Sequence, residues 1–376
     1  MINVLADENM PYVTELFGDF STITFKAGRE IVADDLVDVD VLLVRSITKV
    51  NDALLEKANK LSFVGSATIG LDHIDSASLE ARKITWTNAP GCNAIGVAQY
   101  VLSSLLILAS RQSFDLQSKT VAIVGAGNIG KELSKILNAL AINHFYCDPP
   151  LKDAGAQGDY QDMNEVMNAD IISLHVPMTK GGDYPTYHLF DEGRLRSLKD
   201  NAILINSCRG DVVDNDALNR VLSGNKSLTA VMDVWQNEPQ INTSLLENVD
   251  IGSSHIAGYS FEGKARGTYM LYQRWCEANG YTADKRLTSL LPQANISSVR
   301  LSKTLSIDDI KQLVTLVYDV RDDDELVRQH GLTAKGFDNL RKQYKVRREF
   351  SAITVQATNE TDANLLRDIG FNSVTI

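Results

Sequence analysis

The stretch Val121-Ala-Ile-Val-Gly-Ala-Gly-Asn-Ile-Gly130 limits the fold of this chain more than any other. An apolar run of strand length, Val121 to Val124, breaks at Gly125 and gives way to the helix-compatible Lys131-Glu-Leu-Ser-Lys-Ile-Leu137. Gly125, Gly127 and Gly130 fit the G-x-G-x-x-G spacing, in which the glycines permit a sharp turn, close approach of a pyrophosphate, and packing of the helix on its strand. The backbone from Gly127 through Asn128 and Ile129 to Gly130 is then a candidate phosphate cradle. Glycines are common at strand ends, so the spacing alone is a weak signal, and the next strand strengthens it. Ile142-Asn-His-Phe-Tyr-Cys147 ends at Asp148, roughly 20 residues beyond the glycines, where a carboxylate accepts from ribose hydroxyls and repels a 2′-phosphate. NAD is favoured over NADP. The same Asp148 opens the turn Asp148-Pro149-Pro150, which is compatible with that role.

A chain of 376 residues is too long for one typical core, and two or three domains are expected. Its net charge, 37 − 48 = −11, disfavours nucleic acid as a partner. No membrane span is expected, and the start Met1-Ile-Asn-Val-Leu-Ala-Asp7 reads as a first strand and not a signal peptide, so a cytoplasmic location is expected. Cys92, Cys147, Cys208 and Cys276 are scattered without C-x-x-C spacing, which suggests neither a metal site nor a disulfide framework.

Short apolar strands alternate with helical stretches from residue 1 to about 110: Ile2 to Leu5, Ile23 to Phe25, Val41 to Val44, Phe63-Val64 and Ile84 to Trp86. Strands separated by helices imply a parallel sheet, with ligands outside its carboxyl ends, where Arg45-Ser46 and the loop carrying Thr68 lie. A nearly uncharged helix from Ala94 to about Ser110 then leads to Val121. Further strands at 169–176, 202–206, 228–233 and 249–252 extend the dinucleotide-binding half, and residues 258–280 read as a helix returning to the first domain. From about Leu287 the pattern becomes that of a small α+β appendage.

Three polar stretches follow strand ends: Asn206-Ser-Cys-Arg-Gly-Asp-Val-Val-Asp214, Asp233-Val-Trp-Gln-Asn-Glu-Pro239 and Ser253-Ser-His-Ile-Ala-Gly-Tyr259. Arg209 can grip a carboxylate, Glu238 can hold a cation, and His255 titrates near neutrality. Singly each has an ordinary structural explanation; together, beside a cofactor turn, they form a catalytic constellation.

With the glycine motif, these stretches resemble the D-2-hydroxyacid dehydrogenases. That resemblance implies an α/β protein with two doubly wound parallel-sheet (Rossmann-like) domains and the substrate in the cleft between them. It implies a substrate-binding domain at 1–92 completed by 256–285, an NAD-binding domain at 93–255, and a C-terminal dimerisation domain at 286–376 that makes a homodimer. Asp7 to Pro11, Val44-Arg-Ser46, Ala89 to Asn93, Ser254 to Tyr259 and Glu262 to Gly267 narrow it to a branch acting on a phosphorylated four-carbon 2-hydroxy acid on the route to pyridoxal phosphate. The wider family usually has proline where Ser254 stands.

On this resemblance His255 is the base, Glu238 its partner, and Arg209 the carboxylate clamp. Asp148 takes the ribose, Val176, Ser207, Cys208 and Arg209 line the cofactor face, and Asp233 and Gly258 lie near the nicotinamide amide. Arg45, Ser46, Thr68 and Tyr259 are candidate substrate contacts; Thr68 can instead only shape its loop, and Tyr259 only pack. A 3-phosphoglycerate dehydrogenase and an NAD(H) sensor of the same fold are the competing readings. A substrate with carboxylate and phosphate carries about −3 charges in all, and Arg45 alone supplies little cation for the phosphate. The basic run Arg341 to Arg348 is either a solvated helix face or, through Arg347 or Arg348, a phosphate donor across a dimer interface.

Overall fold

The computed structural model describes residues 1–376 and divides into two compact units, Met1–Asn93 with Phe261–Pro292, and Ala94–Ser260 with Gln293–Ile376. From Gln293 onward, the segment expected to stand apart as a third domain belongs to the second unit.

The first unit is built on β1 (Ile2–Asp7), β2 (Ser21–Lys26), β3 (Val41–Val44), β4 (Phe63–Ser66) and β5 (Thr85–Asn88), all parallel in the order β2-β1-β3-β4-β5. The central β3 is buried at all four positions, as its unbroken Val-Leu-Leu-Val requires when both faces are covered. One face packs Val4, Phe17, Leu43 and Phe63 against Leu271, Tyr272 and Trp275 of the helix Phe261–Asn279, which completes this core. Leu5, Leu42, Val44, Val64 and Leu79 fill the other face.

The second unit carries β6 (Thr120–Val124), β7 (Asn143–Cys147), β8 (Ile171–Leu174), β9 (Ala202–Asn206), β10 (Leu228–Met232) and β11 (Ile251–Gly252). They are parallel in the order β11-β10-β9-β8-β6-β7. Strand order therefore reverses between β6 and β8, and the crevice outside their carboxyl ends is where open α/β sheets bind ligands.

Ala94–Gln112 is a 19-residue helix, longer than the sequence pattern indicated and apolar enough by composition to cross a membrane. Here it is a core helix, with Tyr100, Val101, Leu102, Leu105 and Leu108 buried among Ile123, Leu133, Val314 and Phe350. Its partners include the C-terminal segment, whose β12 (Ser298–Arg300), β13 (Thr354–Ala357) and β14 (Asn372–Thr375) form a parallel sheet crossed by the helix Glu360–Asp368. Val355, Leu366 and Phe371 join the core that holds the long helix. A segment this small encloses little apolar surface by itself, so it shares a core in place of building one.

Candidate active site

The glycine turn follows β6 and faces the end of β8. Gly125 has φ +101°, and a Cβ there would lie 2.7 Å from the His175 carbonyl. At Gly130 a Cβ would lie 2.2 Å from the Gly125 oxygen, so helix Asn128–Ala139 can sit against the turn only with glycine there. Gly127 differs: a Cβ would meet nothing within 4 Å, and it caps the helix with no side-chain acceptor. The open side at Gly127 and the uncapped N–H groups of Asn128 and Ile129 suit a pyrophosphate.

Asp148 ends β7, with Oδ2 accepting from Ala126 N–H at 2.8 Å and Oδ1 from Leu151 N–H at 3.1 Å. The carboxylate thus ties the glycine turn to the helix Pro149–Asp153, and each oxygen keeps a lone pair for a ribose hydroxyl. Asp148→Ser is expected to lower the NAD-over-NADP ratio of kcat/KM by roughly 10-fold or more and to raise KM for NAD. An unchanged ratio would remove Asp148 from the cofactor site.

His175, which the sequence reading passed over, lies beside the turn. It is buried and bonds Ser173 Oγ through Nε2 at 2.8 Å, its Nδ1 has no partner, and burial pushes its pKa down to about 3. A neutral ring there keeps positive charge off the Val176 backbone that follows.

The loop after β9 folds on Asn206, whose Oδ1 accepts from the Cys208 N–H and thiol, both at 3.2 Å, while Nδ2 donates to the Arg209 carbonyl at 3.0 Å. Burial holds the Cys208 thiol protonated, up at about 11. Ser207 is buried with no partner for its hydroxyl. Arg209 Nη1 donates to the Cys208 carbonyl at 2.8 Å. At Gly210 a Cβ would lie 2.0 Å from the Trp235 carbonyl, so this loop and the next touch backbone to backbone. Asn215 and Gln236 brace them by exchanging backbone N–H to side-chain oxygen bonds of 2.9 and 3.0 Å.

Asp233 ends the adjoining strand and is 1% exposed. Its Oδ1 accepts from Ser253 Oγ at 2.6 Å and Ile256 N–H at 2.8 Å, and its Oδ2 accepts from Ala257 N–H at 3.0 Å. It is therefore the anchor of the histidine loop, which leads on through Gly258 to Tyr259. Glu238 Oε1 accepts from Trp235 N–H at 2.8 Å, and Oε2 lies 2.7 Å from His255 Nδ1. Burial pushes the Glu238 carboxyl up, but the His255 charge and hydrogen bond, with the Trp235 N–H, outweigh it and leave the pKa lowered. An ionised Glu238 accepts a proton bond from Nδ1 and so directs the imidazole lone pair to Nε2, which makes no protein hydrogen bond. His255 has φ +57°, a conformation rare outside glycine and costly for a histidine.

Tyr259 packs edge-on to Tyr344 with ring centres 5.9 Å apart and accepts from Arg341 Nη2 at 3.2 Å. Arg347, a candidate phosphate donor on the sequence, is ruled out by its surroundings. It is buried, bonds the Ala257 and Gly96 carbonyls at 2.9 and 2.6 Å, and stacks 3.5 Å over Tyr318.

In the first unit, Arg45 and Ser46 follow β3, and Thr68 follows β4. The Thr68 hydroxyl lies 2.7 Å from Ser66 Oγ and donates to the Gly70 carbonyl at 3.0 Å, so it shapes its own loop. Lys264, also missed, is pushed down to about 8 by burial and then by the charge of Arg45. Because the unfolded chain binds this proton more tightly, the penalty is present at neutral pH and fades as pH rises from about 8 toward about 10. Lys264→Met is expected to raise the melting temperature at pH 7 and not near pH 10, as scanning fluorimetry would read.

Residues 107–257 match the family described as D-isomer specific 2-hydroxyacid dehydrogenase, NAD binding domain, and residues 290–370 match a domain of unknown function. The erythronate-4-phosphate dehydrogenase of Shewanella amazonensis is 46% identical, over 99% of this chain and 100% of its own. That of Escherichia coli K12 is 47% identical, over 99% of both. Among solved structures, NAD-bound 3-phosphoglycerate dehydrogenase of Entamoeba histolytica has a TM-score of 0.63 at 21% identity, over 75% of this chain and 97% of that one, a likeness of fold. The fold and site define an NAD-binding dehydrogenase of D-2-hydroxy acids. Within that class, the chain belongs to the erythronate-4-phosphate dehydrogenase family.

Proposed function

We propose that this chain oxidises 4-phospho-D-erythronate to (R)-3-hydroxy-2-oxo-4-phosphooxybutanoate, as the name of its near full-length relatives suggests. The observation that carries the reading is the Glu238–His255 pair at 2.7 Å, with Nε2 turned away from its carboxylate partner.

NAD, bound on the glycine turn through Gly125, Gly127, Asn128, Ile129 and Gly130, with Asp148 and the Val176, Ser207, Cys208, Asp233 and Gly258 neighbourhood, supplies the two-electron acceptor. The chain's residues supply the rest. His255 Nε2 takes the C2 hydroxyl proton, and the imidazolium so formed is stabilised by ionised Glu238, which also fixes the ring's tautomer. Arg209 holds the C1 carboxylate and polarises the C2 oxygen. Arg45, Ser46, Thr68 and Tyr259 are assigned to substrate contact.

A homodimer is part of this reading. It is supported by exposed apolar side chains on the C-terminal segment, Ile307, Leu316, Leu332 and Val346 among them. Four free, buried cysteines suit a reducing cytoplasm.

The experiment is a substrate panel with NAD. 4-Phosphoerythronate is expected to exceed 3-phosphoglycerate by at least roughly 10-fold in kcat/KM, the shorter acid lacking a hydroxylated carbon. Parity or reversal would assign the chain to another phosphorylated acid, and absence of turnover with NAD bound would make it a sensor.

A further inference from the structure

Arg341, in the helix Ala334–Lys342, is 82 residues beyond Tyr259 in sequence, yet its Nη2 donates to the Tyr259 hydroxyl at 3.2 Å. Its guanidinium carbon is 5.9 Å from the centre of that ring. The phenol is its one hydrogen-bond partner, and Arg341 Nε is buried without any. It forms no salt bridge, and the charges of Glu238 and Asp233 act on it only through space.

Arg341 is partly buried, and a guanidinium withdrawn even in part from water is costly unless an anion or several acceptors match it; one neutral phenol is a poor match. Arg347 is the better matched of the two, with two carbonyls and an aromatic face, although its Nε too is buried without a partner. The arrangement around Arg341 is also rigid. Tyr344 packs on Tyr259 and donates its hydroxyl to the buried Asp323 carboxylate at 2.8 Å, which Tyr318 also reaches at 2.8 Å. The result is a fixed pair, a phenol four residues past His255 in the chain and the guanidinium that the C-terminal segment brings to it.

We propose that Arg341 and the Tyr259 hydroxyl form an anion subsite that takes the phosphate of the substrate. The inference rests on the reading of that substrate as a phosphorylated 2-hydroxy acid whose carboxylate belongs to Arg209. Guanidinium plus hydroxyl is a donor set suited to a phosphate dianion, and it brings positive charge into a chain whose net charge is −11. Specificity for the phosphorylated acid is thus supplied by the C-terminal segment of the same chain.

The test compares kcat/KM for 4-phosphoerythronate with that for D-erythronate in the wild type, Arg341→Gln, Arg341→Lys, Tyr259→Phe and Arg45→Gln. Arg341→Gln is expected to cut the ratio by roughly 10- to 100-fold, with Arg341→Lys and Tyr259→Phe in between. Inorganic phosphate should bind the wild-type NAD complex in calorimetry, and its affinity should weaken in Arg341→Gln. NADH binding checks that each variant is folded. Equal loss on both substrates would overturn the proposal by making Arg341 a support for Glu238 and Tyr259. An unchanged ratio in Arg341→Gln with a collapsed one in Arg45→Gln would overturn it in favour of the first unit, and no phosphate binding by the wild type would overturn it outright. If 4-phosphoerythronate is not turned over but another phosphorylated acid is, the substrate reading fails and the calorimetry still decides the subsite.

Discussion

His255→Asn lowers kcat by roughly 10³-fold while NADH affinity and thermal stability stay near wild type. The size follows from losing a general base, a contribution of about 10² to 10⁴. An asparagine amide takes no proton at neutral pH, and the Nε2 lone pair that Glu238 exposes has no replacement in the loop. Stability is the informative control. Position 255 has φ +57°, a region that asparagine tolerates better than histidine, and the loop's anchors are Asp233 bonds to backbone N–H groups that the substitution leaves alone. Near-normal turnover would place the base elsewhere; a melting temperature lowered in step with activity would make His255 a structural residue.

The second large effect separates two glycines. In Gly210→Ala the new methyl must displace the Trp235 backbone, 2.0 Å away, and the loop carrying Glu238 moves with it. A loss of about 3 kcal/mol of stability is expected, together with a fall in kcat, because Arg209 and Glu238 keep their spacing through that contact. Gly127→Ala meets no atom within 4 Å, so its stability should be unchanged and its defect should be a raised KM for NAD alone. Denaturant melts and initial rates on the two variants read the contrast. A stable, fully active Gly210→Ala would show that the loops are not held by that contact.

Strand ends and glycine spacing were legible in the sequence because they are local. The apolar run of β6, its break at Gly125 and the acidic end of β7 each obey a rule spanning a few residues, and the loops bearing Arg209, Glu238 and His255 follow strands in the expected sequence. Whatever depends on distant segments packing together was not legible. The run Arg341 to Arg348 gave no sign that Arg347 turns inward onto Tyr318 while Arg341 meets Tyr259. Lys264 reads as an ordinary helix lysine until folding buries it within reach of the Arg45 charge. Likewise, nothing in the composition of the C-terminal segment says that its apolar face is completed by the Ala94–Gln112 helix.

That shared helix bears on how the protein is made. The second unit is drawn from two stretches of chain separated by residues 261–292, which belong to the first. The first unit's sheet lacks its covering face until synthesis passes Trp275 and Cys276, and the second unit's largest core stays open until Phe371 has been added. Neither body can therefore finish folding in order behind the ribosome, and the nearly uncharged Ala94–Gln112 helix, made early and covered late, is the stretch that a chaperone has most reason to hold.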